Sequence, residues 1–293
     1  VLGWDVGIDE GRLAEAISLY GNHSVPYDWG YNTTLTALAY PDRQSFARAK
    51  SIDPKQIDYD LDKKFVSYYL SDGDNVQWVM NDFEGLWYDH PMVQQTKTSF
   101  GLPVANLAMI APAQMANLFT KQSADISGFE RSSYFFIDQY GAKKDRDAIM
   151  MQMAEEQAAH MKKHNVKILG MVTRHYSDGP EAKKGYQMLI DANDELEGII
   201  TIEYIPYANS KREVMWFTNK KGIDIPVVHT TWSIWSFEDH NDPDEGSPAY
   251  IARKLDVTEN KFNIICLHCW SKFRDRGTTA NELVELIPDP DGY

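Results

Sequence analysis

Strand-like and helix-like segments alternate along this chain, and the alternation limits its fold more than any other feature. Eight short apolar runs have the composition of strands, and helical periodicity follows nearly all of them. Such alternation predicts parallel pairing, because each crossover must be right-handed and must cover the sheet. We therefore predict an α/β fold, a single (β/α) barrel-like domain over residues 1–293 with seven or eight mostly parallel strands and outer helices. An open doubly wound sheet is the second choice, and the lack of a Gly-rich phosphate loop after any strand weakens its nucleotide-binding version.

The predicted strands are rich in β-branched and aromatic residues, which favour a pleated, half-buried surface. They cover residues 1–6, 65–70, 104–110, 134–137, 166–173, 198–205, 225–231 and 262–270. Helices are predicted at residues 9–20, 76–88, from 112 onwards, 145–163, 180–193, 248–255 and 278–287, with a short helix or turn at 211–221. Residues 21–64 are mostly irregular in this interpretation, with a short apolar patch at 35–39.

The charge of the chain narrows the classes of ligand. A formal net charge of −14 and a pI near 5.0 argue against nucleic acid, because a polyanion needs Lys and Arg to displace its counterions. An uncharged or cationic ligand is easier to accommodate. Eight Trp and sixteen Tyr provide aromatic faces that suit sugar rings as well as core packing. No apolar run approaches the length of a membrane span, so we expect no transmembrane segment.

The two cysteines, Cys266 and Cys269, lie in one strand-like run. Residues three apart on a strand point to opposite faces, which disfavours both a disulfide and a shared metal ion. We predict two buried thiols, and no zinc site, because zinc would need a second pair of ligands. The chain starts at Val1 inside a strand-like run, so we expect it to be the C-terminal part of a longer protein.

The stretch after residues 65–70 is the strongest candidate for a site. The apolar run stops at Ser-Asp-Gly-Asp-Asn, which favours a turn because Asp and Asn bond their own backbone and Gly adopts positive φ. In a parallel sheet that turn lies at the carboxyl end of the strand, where ligands bind. Asp72 and Asp74 would then lie close together. An acidic hairpin or a helix cap is the alternative interpretation.

Polar and aromatic residues follow other predicted strands as well. If the strands are parallel, the same rim collects Asp5, Asp72, Asp74, Asn75, Asp138, His175, Glu203, Tyr204, His229, Trp232, His268 and Trp270. Glu203 alternates with Ile200 and Ile202, which predicts that the isoleucines face the outer helices and that Glu203 faces the lumen. A carboxylate there needs a partner or has a raised pKa, and a raised pKa suits a general acid.

A pair of carboxylates can cleave a glycosidic bond, one acting as acid and the other as nucleophile or base. We assign Asp72 or Asp74 as nucleophile or base, and Glu203 or Asp138 as acid. The expected substrate contacts are Asn75, His175, Tyr204, Trp232, His268 and Trp270. A metal held by Asp72 with His229 or His268 is an alternative, although no metal or other cofactor is assigned. A Ser-His-Asp hydrolase is less favoured, because no Gly-x-Ser-x-Gly motif is present.

Several stretches together resemble the C-terminal domain of the GxGYxYP family of putative glycoside hydrolases. They are Gly3-Trp4, Phe65-Val66-Ser67, Ser71 to Trp78, Gly198 to Tyr207, and Leu267 to Ser271, and the most specific is Ser-Asp-Gly-Asp-Asn followed by Gln-Trp. The resemblance implies a (β/α)-barrel-like fold, a carbohydrate substrate, and an exported bacterial protein with an additional N-terminal domain. A non-catalytic carbohydrate-binding protein that has lost the acid is the competing class.

One departure from the family pattern concerns its signature. The Gly-x-Gly-Tyr-x-Tyr-Pro motif is absent, and only Asp138-Gln139-Tyr140-Gly141-Ala142 stands at the equivalent place. The ligand could therefore differ from that of other members, or activity could be lost. The Ser-Asp-Gly-Asp motif is also similar to the first motif of polysaccharide deacetylases, which favours a metal. That interpretation ranks lower, because their His-x-x-x-His partner is absent.

Overall fold

The structure is a computed structural model that describes most of the chain. The described residues are 9–25, 32–39, 63–70, 76–81, 83–121, 126–128, 134–204, 207–208, 214–235, 244–268, 271, 273 and 278–287. None of the described helices combines the length and the apolar character needed to cross a membrane.

The strands in this part of the chain form one sheet that closes on itself. They are β1 (Phe65–Leu70), β2 (Ser99–Leu102), β3 (Ile126–Gly128), β4 (Ile168–Thr173), β5 (Gly198–Glu203), β6 (Met215–Thr218), β7 (Asp224–Ile234) and β8 (Phe262–Leu267). Seven of them pair in parallel in the order β1-β2-β3-β4-β5-β7-β8, and β8 returns to β1. β6 pairs antiparallel with β7, outside the ring. The predicted (β/α) barrel-like fold is confirmed.

Helices surround the ring and follow most of its strands. They are α1 (Glu10–Ser18), α2 (Thr33–Leu38), α3 (Val76–Met80), α4 (Pro91–Thr96), α5 (Val104–Ile110), α6 (Pro112–Lys121), α7 (Arg146–His164), α8 (Pro180–Ala192), α9 (Pro248–Val257) and α10 (Thr278–Leu286), with a π-helix at Glu84–Tyr88.

Local sequence explains several helix boundaries. The Asp145 side chain accepts from Ala148 N at 3.4 Å at the start of α7, which ends at Asn165 in the left-handed conformation (φ 53°). Basic residues fill the last turn of α7 and complement its dipole. α8 and α9 both begin with proline, which is tolerated in the first turn because its missing N–H would have no partner there.

Two groups of buried apolar side chains stabilise the barrel. The larger group lies between the sheet and the outer helices. The smaller one, here called the lumen cluster, comprises Ala14, Tyr69, Tyr134, Phe136, Val172 and Ile202. Its members come from α1, β1, β4, β5 and the segment before α7, and β1 does not pair with β4 or β5. The lumen cluster therefore spans the interior of the ring.

Three predictions of secondary structure were wrong. Residues 104–110 form helix α5, and the neighbouring strand is the shorter β2. Residues 134–137 form no strand ladder: Tyr134 makes a single bridge to Ser24, and Ile137 N donates to Val172 O at 3.0 Å. Of residues 211–221, the part described contains β6 rather than a helix. Short apolar runs fit a strand and a buried helix equally well, which accounts for the first error.

Strands β1, β4, β5, β7 and β8 lie where the sequence predicts strands, whereas residues 1–6 lie outside the described residues. The predicted 76–88 helix is divided into α3 and the π-helix. β2, β3, α2 and α4 were not predicted. Cys266 is buried with a free thiol, as expected, and Cys269 lies outside the described residues.

Candidate functional site

The carboxyl ends of the ring strands share one rim of the barrel, because those strands are parallel. Leu70, the last residue of β1, is in register with Phe100 of β2 and Leu267 of β8. Of the twelve residues predicted at this rim, seven are described. The others, Asp5, Asp72, Asp74, Asn75 and Trp270, lie outside the described residues.

Asp138 holds the backbone that follows β4. Its carboxylate accepts from the backbone N–H groups of Arg174 (2.8 Å) and His175 (3.3 Å), and Asp138 is only 8% exposed. The structure thus brings Asp138 and His175 together through the backbone, while His175 itself is exposed. This arrangement gives Asp138 a positioning role at the rim.

Glu203 belongs to a hydrogen-bonded network behind the rim. Its Oε1 accepts from both the backbone N and the hydroxyl of Ser177, each at 2.8 Å, and Ser177 Oγ lies 2.7 Å from His229 Nδ1. Because the Ser177 hydroxyl donates its one proton to Glu203, its oxygen accepts from His229, so Nδ1 of His229 is the donor. Ser177 and His229 are buried, so the network connects the β4–α8 loop to β5 and β7.

The prediction that Glu203 faces the lumen is wrong. Ile200 and Ile202 pack with the lumen cluster, whereas Thr201 bonds the Tyr186 hydroxyl of α8 at 2.6 Å. Since side chains alternate along a strand, Glu203 shares the helix-facing side with Thr201. The predicted alternation of apolar and polar residues along β5 is correct. The assignment of the two faces is reversed, because the lumen of this barrel is apolar and takes the isoleucines. Burial also raises the pKa of the Tyr186 hydroxyl.

An aromatic row lies at the rim between β5 and β8. It consists of Tyr204, Tyr207, Trp235 and His268. The ring centroids are 5.7 Å apart for Tyr204 and Tyr207, 5.0 Å for Tyr207 and Trp235, and 4.0 Å for Trp235 and His268. Two predicted contacts, Tyr204 and His268, are thus brought together through two residues that the prediction left out.

Trp232 does not join the aromatic row. It packs against the core between the sheet and the helices. β7 changes register between Thr230 and Trp232, so one extra residue reverses the faces of all that follow. The bulge sends Trp232 outward and places Trp235, which is not among the predicted site residues, beside His268. No sequence signal marks this bulge.

Arg174 is another residue that the prediction missed. Its guanidinium lies over the rings of Phe136 (5.8 Å) and Tyr204 (5.4 Å), and its Nε is 3.2 Å from Glu15 Oε2 of α1. Burial raises the pKa of the Tyr204 hydroxyl, and the charges of Glu10 and Asp9 act in the same direction. The position of Arg174 directly after a predicted strand was the available signal.

The described part of the chain contains no group of three His, Cys, Asp or Glu side chains arranged to hold a metal ion. The described carboxylates make hydrogen bonds at the rim. Asp138 and Glu203 lie on neighbouring segments, and each contacts the loop between β4 and α8.

Comparisons with known proteins agree with this architecture. The sequence model of the GxGYxYP putative glycoside hydrolase C-terminal domain matches residues 62–288. The crystal structure of a putative hydrolase from Bacteroides thetaiotaomicron superposes with a TM-score of 0.77 at 18% identity. That superposition covers 96% of this chain and 52% of the hydrolase, so the chain spans about half the length of that protein.

A putative polysaccharide deacetylase from Mycobacterium smegmatis is more distant. Its TM-score is 0.47 at 7% identity, over 79% of this chain and 87% of that one. No curated protein matches the chain. The similarity to the Bacteroides structure, at this low identity, supports the fold.

Proposed function

We propose that this chain, which belongs to the GxGYxYP putative glycoside hydrolase C-terminal domain family, binds a carbohydrate at the carboxyl rim of its barrel and hydrolyses a glycosidic bond there. The observation that carries the proposal is the aromatic row, in which the partly exposed rings of Tyr204 and Tyr207 lie 5.7 Å apart between centroids and pack against the buried Trp235 and His268. Aromatic rings offer apolar faces on which sugar rings stack. We also propose that the protein is bacterial and exported, and that its substrate is a polysaccharide.

The proposed chemistry uses carboxylates that follow the strands. Asp72 and Asp74 come directly after β1, and one of them is the proposed nucleophile or base. Of the two candidates for the acid, we favour Glu203. Asp138 uses both carboxylate oxygens to hold backbone N–H groups after β4, whereas Glu203 is half-buried and contacts the side-chain network of Ser177 and His229. Ser177 and His229 would then orient the acid.

Hydrolysis and binding can be tested separately on a panel of oligosaccharides. We expect Glu203→Gln to keep binding and to lower kcat by about 10²–10⁴-fold, the usual contribution of a general acid. Asp72→Asn and Asp74→Asn should identify the second carboxylate by the same assay, with reducing-sugar release as the readout. Unchanged kcat in both Glu203→Gln and Asp138→Asn would contradict the assignment of the acid.

Trp235 tests the binding site itself. Trp235 is only 4% exposed, and we expect Trp235→Ala to weaken sugar binding by roughly tenfold or more in calorimetry, because the Tyr207 ring loses the side chain that supports it. Trp235→Phe keeps the packing and should retain most of the affinity. Trp216→Ala is the control for loss of a tryptophan away from the rim, since Trp216 lies on β6 and is 63% exposed, and urea denaturation of Trp235→Ala checks that loss of the buried ring does not unfold the protein. Equal losses in the Trp235 and Trp216 variants would overturn the proposed location.

A non-catalytic carbohydrate-binding protein is the second candidate. The contacts of Asp138 and Glu203 favour it, because both carboxylates already hold the loop after β4 and would do so without any turnover. This candidate predicts sugar binding that depends on Trp235, with no glycan hydrolysed by the unmodified protein.

A further inference from the structure

We infer that Arg174 binds the carboxylate of an acidic sugar, so that the substrate contains a uronic acid residue. This inference rests on the proposed function and names the substrate class of the same site. Arg174 follows β4 at the carboxyl rim, and Tyr204 beneath it belongs to the aromatic row. A sugar stacked on that row would bring its substituents within reach of the guanidinium.

The protein holds Arg174 in place from three directions. Asp138 accepts from its backbone N–H at 2.8 Å, the rings of Phe136 and Tyr204 lie under its guanidinium, and Glu15 accepts from its Nε at 3.2 Å. The side chain is 22% exposed. Little rotamer freedom is left to lose on binding, which is the condition for efficient recognition by a long side chain.

The forked end of Arg174 donates to no partner among the described residues. Within the described residues, no acceptor contacts its two terminal nitrogens, Nη1 and Nη2, since the ion pair with Glu15 uses Nε. Two parallel N–H groups match the two oxygens of a carboxylate and bind it in bidentate fashion. A neutral hydroxyl offers only one oxygen, so it cannot accept from both N–H groups in this bidentate geometry. The shape of the donor set therefore favours a carboxylate.

Acidic residues near Arg174 weaken the binding of an anionic ligand there. Asp9, Glu10 and Glu15 all belong to α1 or its cap, and the charge of the whole chain is −14. Sequence charge alone thus favours an uncharged or cationic ligand. Arg174 is a local exception, and removal of the Glu15 charge should strengthen the binding of an anion.

The test compares matched pairs of glycans, each an oligosaccharide with a free uronic acid and its methyl ester, on an array and by calorimetry. We expect the unmodified protein to prefer the acid form in at least one pair. Arg174→Gln should weaken binding of that acid form roughly 10- to 100-fold, the usual size for a charged hydrogen bond, and should change binding of the ester less than about twofold. Arg174→Lys keeps the charge but not the forked donor geometry, so its affinity for the acid form should lie between those of the unmodified protein and Arg174→Gln.

Glu15→Gln distinguishes recognition from a purely structural role. It breaks the same ion pair, so a structural role predicts that Glu15→Gln and Arg174→Gln weaken both members of a pair alike. Recognition predicts that Glu15→Gln binds the acid form a few-fold more tightly. A preference for neutral or sulfated sugars would overturn the inference and leave the proposed function standing, whereas binding of no glycan would overturn the proposed function.

Discussion

The two faces of β5 differ in chemistry. On the lumen side, Ile200 and Ile202 pack among the aromatic side chains of the lumen cluster. On the helix side, Thr201 and Glu203 make hydrogen bonds to Tyr186 of α8 and to Ser177 in the loop before it. In this barrel the interior is core, and the polar chemistry lies at the rim and behind the sheet. Alternation along a strand separates two faces, but only packing shows which face is which.

The largest effect should come from the lumen side. Phe136 is fully buried in the lumen cluster, so Phe136→Ala should lower the free energy of unfolding by about 3–5 kcal/mol through lost contacts and a cavity. Urea denaturation measures it. Trp216→Ala, on the exposed face of β6, is the control and should change stability by less than about 0.5 kcal/mol. A loss below about 1 kcal/mol for Phe136→Ala would show that the lumen is not a packed core.

The network behind the rim should contribute less. Ser177→Ala removes the donor to Glu203 and the acceptor of His229, and we expect a cost of about 1–3 kcal/mol for leaving these groups buried without their shared partner. A double-mutant cycle with His229→Leu should give a coupling energy of about 0.5–3 kcal/mol. Strict additivity would mean that the contact between Ser177 and His229 does not stabilise the fold.

A buried histidine at the end of α7, His164, should make the stability of the protein depend on pH. Burial lowers the pKa of His164 to about 4, and the charges of Lys163 and His160 add to the shift. The unfolded chain has a pKa near 6.5 and binds the proton first, so stability is lost as the pH falls from about 6.5 to about 4, on the order of 2 kcal/mol. The free energy of unfolding, measured by urea denaturation at several pH values, should vary less with pH in His164→Leu than in the unmodified protein. The exposed His175→Gln should keep the slope, and equal slopes in all three proteins would refute the assignment.

The smallest effect concerns a single hydroxyl pair. Tyr186→Phe leaves the buried Thr201 hydroxyl without its 2.6 Å partner, and we expect a loss of about 1 kcal/mol. The double variant Tyr186→Phe with Thr201→Val removes both partners and should be closer to the unmodified protein. If the double variant were clearly less stable than Tyr186→Phe, the polar character of this face would matter beyond the one bond.

The sequence predicts the elements whose signals are local. α7 has an N-cap residue, basic residues in its last turn and a long helical segment. β1, β4, β5, β7 and β8 have clear strand composition. β3 is only three residues long and β2 four, which is too short for a period to show. α5 was mistaken for a strand, because its apolar run of seven residues gives no clear helical period.

The site was less predictable than the fold, since its geometry depends on events between distant residues. Trp235 reaches the aromatic row only because β7 has a bulge, and Arg174 acquires its role from Phe136 and Glu15. Neither relation can be read from spacing along the chain. Parallel strand direction, in contrast, was predictable and is confirmed, and it supports the gathering of strand ends at one rim.

Among the described residues, the ladder between β3 and β4 has the fewest pairs in the ring. Among the described residues one pair, Gly128 and Leu169, is in register there, whereas six pairs join β4 to β5. Cooperative opening starts where few backbone bonds must break, so amide protons of β3 should exchange with solvent sooner than those of β5.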